Sequence, residues 1–192
     1  SVNENDLKSV RNIQQSLTLE HIFFKDTKFS FSIYNKYYSN APILEPDSNY
    51  IDPTFLMDQL IMYDGIVSRG EANSKGLEIL LQKKRVEKFY GLIGGTLFNS
   101  TFKDYYGNKW NRNYNYKYIF NIVGGYRPNN KWEISIRWSL FGGKPYTPID
   151  ENSSSNFGTQ VLYLDDFNEA KTPEYHSLFI RYERRFNLKR SN

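Results

Sequence analysis

Hydrophobic and polar residues alternate one by one along several stretches of this sequence. The clearest stretch is 132–140, where Trp132, Ile134 and Ile136 alternate with Glu133 and Ser135. Because successive side chains of a β-strand point to opposite faces, a period of two indicates a strand with one apolar and one polar face. The same period predicts seven strands, at 12–24, 28–37, 77–82, 89–100, 116–126, 132–140 and 177–186.

The connections between these strands alternate between short and long. Tight turns are predicted at 25–28, 85–88 and 127–131, an intermediate connection at 102–113, and long connections at 39–73 and 142–174, the last with a short extended piece at 161–164. An up-and-down meander places all short turns at one end, as transmembrane barrels do with their periplasmic turns and outer loops. We therefore expect Lys25, Arg85 and Pro128 to face the periplasm and the long connections to face outward.

Composition narrows the possible functions. The chain holds 16 Tyr, 14 Phe and 3 Trp, yet its mean hydropathy is −0.67, a combination that favours amphipathic β structure. The absence of Cys from the sequence excludes disulfides, thiolate metal sites and thiol catalysis within it. A formal charge of only +4, spread along the chain, argues against a nucleic-acid partner.

The predicted fold class is all-β, an antiparallel up-and-down meander that forms a segment of a transmembrane β-barrel with about seven or eight strands present. Residues 1–192 are expected to be one partial barrel domain, because seven is an odd number and bacterial single-chain barrels use even ones. In an alternative interpretation, residues 159–164 or 64–71 form an eighth strand, and the chain is then a small closed barrel with a structural or adhesive role. A soluble lipocalin-like binding barrel is a third possibility.

Several short segments of the sequence resemble the C-terminal barrel strands of TonB-dependent outer-membrane receptors of the Bacteroidetes type. They are YNKYY at 34–38, API at 41–43, SKGLEILLQKK at 74–84, GGYR at 124–127, GGKPYTPI at 142–149, PEYH at 173–176 and RYERRF at 181–186. The resemblance covers about residues 12–188. It implies part of a 22-stranded barrel whose plug domain, early strands and final strands lie outside this sequence.

The resemblance also implies a function and its partners. The whole protein would take up a scarce small ligand across the outer membrane of a Gram-negative bacterium, using energy relayed by TonB. The expected partners are outer-membrane lipid, the plug domain, TonB and an unknown small ligand. No enzymatic activity, cofactor or metal is expected, since the two histidines, His21 and His176, are far apart in sequence and no nucleophile motif is present.

Aromatic residues of the long connections are the candidate ligand contacts, because aromatic rings at a barrel mouth can stack against a ligand. The candidates are Tyr50, Tyr63, Tyr105, Tyr106 and Trp110. By contrast, Tyr126, Trp132 and Trp138 are expected to anchor the barrel at the membrane interfaces. The charged row Arg181, Glu183 and Arg185 is expected to face the lumen, where it could pair with a plug.

Overall fold

A computed structural model describes residues 7–45 and 65–186, which form one antiparallel sheet with elaborated connections at one end. The strand order is β1-β2-β3-β4-β6-β7-β10; β5 pairs with β4 beside this path, and β8 and β9 form a separate pair. The elements are β1 Arg11–Phe23, β2 Thr27–Leu44, β3 Ile66–Lys83, β4 Phe89–Lys103, β5 Lys109–Asn111, β6 Tyr118–Tyr126, β7 Trp132–Phe141, β8 Pro145–Tyr146, α1 Glu151–Phe157, β9 Ala170–Lys171 and β10 Tyr175–Arg184.

The predicted all-β class and the up-and-down meander are confirmed. Each long strand pairs with the next long strand along the chain, so the three tight turns, at 24–26, 84–88 and 127–131, share one end of the sheet. We call it the turn end, and the opposite end, where the longer connections lie, the loop end. In the described residues β1 and β10 each pair on one side only, so the sheet has two open edges.

Neither proposed eighth strand forms. Residues 66–71 are the first part of β3, and in the 159–164 segment Leu162 makes only an isolated bridge to Ile149 before a 3₁₀ turn starts at Leu164. The additional strand of the sheet is instead the three-residue β5, which lies within the predicted intermediate connection and pairs with the end of β4.

The prediction of a long loop over 39–73 was wrong at both of its ends. The strand β2 continues to Leu44 and β3 begins at Ile66. The register between them shifts at Ala41, next to Asn40 with a φ of 56°, and this irregularity breaks the alternation that marks a strand in the sequence. Pro42 is tolerated because β1 pairs with β2 only up to Ser39, so among the described residues β2 is an edge strand beyond that point.

The connection between β7 and β10 is folded rather than extended. Its helix α1 begins after Asp150, whose carboxylate accepts a hydrogen bond from the Ser153 amide at 3.0 Å, and ends at Gly158 with a φ of 64°. Among the described residues, no helix has the length and apolar character needed to cross a membrane.

One face of the sheet, which we call the apolar face, carries a continuous belt of large hydrophobic side chains. The register aligns them in rows that cross the sheet, and one such row consists of Phe29, Leu81, Ile93, Ile122, Trp138 and Leu178. In the described residues no second layer covers this belt, and side chains such as Leu19 and Ile180 are about two thirds exposed, at 65% and 67%. A single sheet with a bare hydrophobic face therefore lacks a core along most of its length.

The opposite face, which we call the polar face, carries short polar and charged side chains over the same strands. One register row on this face consists of Glu20, Ser30, Leu80, Gly94, Asn121, Ser139 and Ser177, and the next row toward the turn end includes the hydrophobic residues Leu92, Val123 and Phe179. Hydrogen bonds join neighbours across the strands, as between Ser139 and the Asn121 side-chain oxygen at 2.8 Å. The register thus extends the predicted separation into an apolar face and an opposite face that is mainly polar but contains some hydrophobic residues.

Aromatic rings border the apolar belt at the turn end. Phe89, Tyr126, Trp132 and Tyr182 form a chain of ring contacts across four strands, with centroid separations of 4.5, 5.6 and 6.5 Å. On β3 the belt is bounded by Lys75 and Lys83, which are eight residues apart, or roughly 26 Å along the strand. The belt therefore has a defined height, with aromatic and cationic side chains at its limits.

Candidate functional site

The loop end of the sheet contains the one buried hydrophobic cluster of the described residues. It consists of Ala41, Ile43, Ala72, Phe102 and Phe167. Phe167 comes from the connection between β7 and β10 and makes edge contacts with Phe102 and Trp110, both at 6.0 Å between ring centroids. The cluster therefore fixes two connections, residues 104–117 and residues 142–174, onto the ends of β2, β3 and β4.

Asp104 organises the first of these connections. Its buried carboxylate accepts hydrogen bonds from the amides of Tyr106 at 2.9 Å and Asn108 at 2.8 Å, from the Asn108 side chain at 3.1 Å, and from the Trp110 indole nitrogen at 2.8 Å. Hydrogen bonds to an ionised acceptor are the stronger kind in proteins. One carboxylate thus sets the conformation of the turn that leads into β5.

A network of asparagine side chains joins the two connections. Asn115, which is fully buried, accepts from the Ser100 amide at 2.9 Å and donates to the side-chain oxygens of Asn99 and Asn111 at 3.2 and 2.8 Å. Asn168 donates to the Asn111 carbonyl at 2.9 Å and to the Asn113 side chain at 2.8 Å. Because an amide both donates and accepts, these residues satisfy one another without a formal charge.

The structure separates the five candidate ligand contacts into three groups. Tyr50 and Tyr63 lie outside the described residues. Tyr105 and Trp110 are half-buried and pack against the hydrophobic cluster, and Tyr105 also receives a hydrogen bond from Arg69 at 3.0 Å. Tyr106 is 58% exposed and makes an edge contact with the Tyr105 ring at 5.5 Å.

These positions define a candidate stacking surface of one exposed ring, Tyr106, which makes an edge contact with the half-buried ring of Tyr105. Arg69 adds a cation 5.2 Å from the Tyr105 ring centroid. Such a surface suits a planar or sugar-like ligand. Sequence reasoning missed Asp104, Asn115 and Asn168, although four asparagines among residues 108–115 are a signal of side-chain networks in a loop.

One lysine at the loop end, Lys117, has a pKa below its ordinary value. Removal from water lowers the pKa of Lys117, and the neighbouring positive charge of Lys171 lowers it further. The Lys117 ammonium donates to the same Asn99 oxygen that Asn115 uses. Among the described residues, no group of three or more His, Asp or Glu side chains is arranged to hold a metal ion.

The predicted charged row on β10 is paired locally. Glu183 bonds both Arg181 and Arg185, the latter from Arg185 Nε at 2.6 Å, and Arg185 also lies 3.5 Å from Glu133 on β7. The row lies on the polar face at the turn end, far along the strands from the asparagine network. Its carboxylates are therefore already occupied by arginines of the same sheet.

Comparison with known proteins assigns no family to the chain. No family model matches the sequence, and no curated protein matches it either.

Proposed function

We propose that this chain is part of the barrel wall of a TonB-dependent outer-membrane receptor, in which the apolar face contacts lipid and the polar face lines the lumen. The observation that carries the proposal is the uncovered apolar belt on a single-layer sheet. A hydrophobic surface of this extent is costly in water, whereas hydrocarbon accepts it without penalty. The sequence segments that resemble barrel strands of TonB-dependent receptors support the proposed assignment to this family.

The dimensions of the belt agree with this proposal. Its length of roughly 26 Å along β3 becomes about 20 Å in height once the usual tilt of barrel strands is included, close to the apolar band of outer-membrane barrels. The aromatic rings at the turn end have the residue types and the position expected of an interfacial aromatic girdle; they belong to Phe89, Tyr126, Trp132 and Tyr182. Lys75 and Lys83 can extend their ammonium groups toward the two interfaces.

The loop end supports the receptor role more than a purely structural one. Two of its connections fold onto each other through a buried cluster and an asparagine network, and they present the exposed Tyr106. Loops that only join strands have no need of such order, whereas binding sites require pre-organised side chains. In this proposal Tyr105, Tyr106 and Trp110, with Tyr50 and Tyr63, contribute to the outer mouth where a small ligand arrives.

Binding to TonB tests the receptor proposal against the two other classes of barrel. The complete protein, solubilised from outer membranes, is expected to be retained on immobilised TonB periplasmic domain, while a porin from the same extract passes through. Retention is measured by immunoblot of the eluted fractions. Elution of the protein together with the porin would contradict uptake driven by TonB and would favour a small structural barrel or a soluble binder.

A further inference from the structure

A cationic cleft lies on the apolar-face side of the sheet, just beyond the hydrophobic belt at the loop end. Its volume is about 270 Å³, and it is formed by the ends of β2, β3, β4 and β5. Its polar lining consists mainly of Lys75, Lys103, Lys109, Glu71, Asn73 and Asn99. The register places Glu71 opposite Lys103 and Lys103 opposite Lys109, so these three side chains share one row.

The charges of the cleft do not balance. Glu71 pairs with Lys103 at 2.8 Å. In the part of the chain that the structure describes, the exposed ammonium groups of Lys75 and Lys109 have no ion-pair partner. Among the described residues two positive charges are therefore left for an anion, and the side-chain amide of Asn99 beside them can donate a further hydrogen bond, whereas that of Asn73 already donates to Asn35 Oδ1 at 2.8 Å.

An apolar groove begins directly below this cleft. The pair Leu77 and Leu97 lies two residues along the strands from the pair Lys75 and Asn99, a step of about 7 Å. From there a groove of about 330 Å³ follows β3 and β4. Gly95 lies between Ile79 and Phe120 in its register row, and the Phe120 ring covers the space that a Gly95 side chain would fill, 2.8 Å from the ideal Cβ position, so this ring forms part of the groove surface.

We infer that the cleft and the groove together bind a lipid that carries phosphate on its head group. The phosphate would lie between Lys75 and Lys109, and one acyl chain would run along the groove from Leu77 and Leu97 toward the Phe120 ring. The charge of the cleft favours an anionic lipid over a zwitterionic one, and the hydrocarbon lining of the groove favours an acyl chain over a peptide. The inference rests on the proposed function, because it requires the apolar face to lie in a bilayer.

Charge removal in lipid nanodiscs tests this inference. The complete protein is placed in phosphatidylcholine discs with and without diphosphorylated lipid A, and native mass spectrometry measures the lipid A retained per protein as its content is varied. A lysine near a membrane surface contributes about 1 kcal/mol toward an anionic lipid, so Lys75→Gln or Lys109→Gln should each weaken retention about fivefold and the double variant roughly thirtyfold. The control is Lys36→Gln, which removes a charge from the polar face opposite Ser74.

Three results would overturn the inference. The first is unchanged lipid A retention in the double variant, and the second is an equal loss of retention in the Lys36→Gln control. The third is full displacement of lipid A by millimolar inorganic phosphate, which would indicate a phosphate site with no role for the groove. Cysteine labelling of the apolar and polar faces in the same discs separates this inference from the proposed function. If the apolar face is shielded by lipid while retention is unchanged, only the lipid site fails.

Discussion

Replacing Ile122 by arginine is expected to destabilise the folded protein in a bilayer by about 2–4 kcal/mol, the cost of a cation at the hydrocarbon midplane of a barrel wall. Ile122 lies in the middle of β6 on the apolar face, with Ile93 and Trp138 as its register neighbours. No acidic side chain stands in that row to neutralise the new charge. The measurement is urea unfolding of the complete protein in lipid vesicles, followed by tryptophan fluorescence.

The matched control is Asn121→Arg, one residue earlier on the same strand. Asn121 points to the polar face, opposite Gly94 and Ser139, where water and short side chains leave room for a guanidinium. Its cost should stay below about 1 kcal/mol, since only the hydrogen bond from Ser139 is lost. Equal destabilisation by the two variants, or a larger effect of Asn121→Arg, would mean that the apolar face does not contact lipid.

The second large loss of stability is expected when Asp104 is replaced. The variant Asp104→Ala removes the acceptor of four hydrogen bonds, which come from the amides of Tyr106 and Asn108, the Asn108 side chain and the half-buried Trp110 indole. Hydrogen bonds to a charged acceptor are each worth about 1.5–3 kcal/mol, so the connection 104–117 should lose at least about 3 kcal/mol of local stability. The lower local stability should appear as protease cleavage within 104–117 and as a red-shifted Trp110 emission, while the sheet itself remains folded.

Tyr106→Ala provides the comparison for this prediction. Tyr106 is exposed, and its side chain contacts Tyr105 alone among the rings of the described residues, so its loss should leave protease resistance unchanged. The prediction for Asp104 fails if Asp104→Ala and Tyr106→Ala are cleaved at the same rate.

Strand positions and connection order could be predicted from the sequence because both depend on local pattern. Alternation over 132–140 is a property of neighbouring residues, and β7 was confirmed at Trp132–Phe141. The pattern failed at Ala41 and Gly70, where a register shift interrupts the period although the strands continue. A seven-residue helix such as α1 carries too few residues to show a helical period, so it was not predicted.

The organisation of the loop end could not be predicted, because it depends on contacts between distant parts of the chain. Phe167 packs on Phe102, and Asn168 bonds Asn111 and Asn113 across more than fifty residues of sequence. Aromatic content drew attention to residues 105–110 as candidate ligand contacts but could not distinguish the exposed Tyr106 from the packed Trp110. That distinction depends on Asp104, a residue with no special signature in the sequence.

The orientation of the two faces is the central claim, and residue-specific labelling on β7 tests it most directly. The sequence holds no Cys, so Ile136→Cys and Arg137→Cys each introduce one thiol of known position, on neighbouring residues that point to opposite faces. In intact outer membranes we predict that Cys at 136 reacts with a lipid-restricted maleimide and Cys at 137 with a water-soluble one. The reverse pattern, with position 137 in lipid and position 136 in water, would contradict the proposed barrel wall.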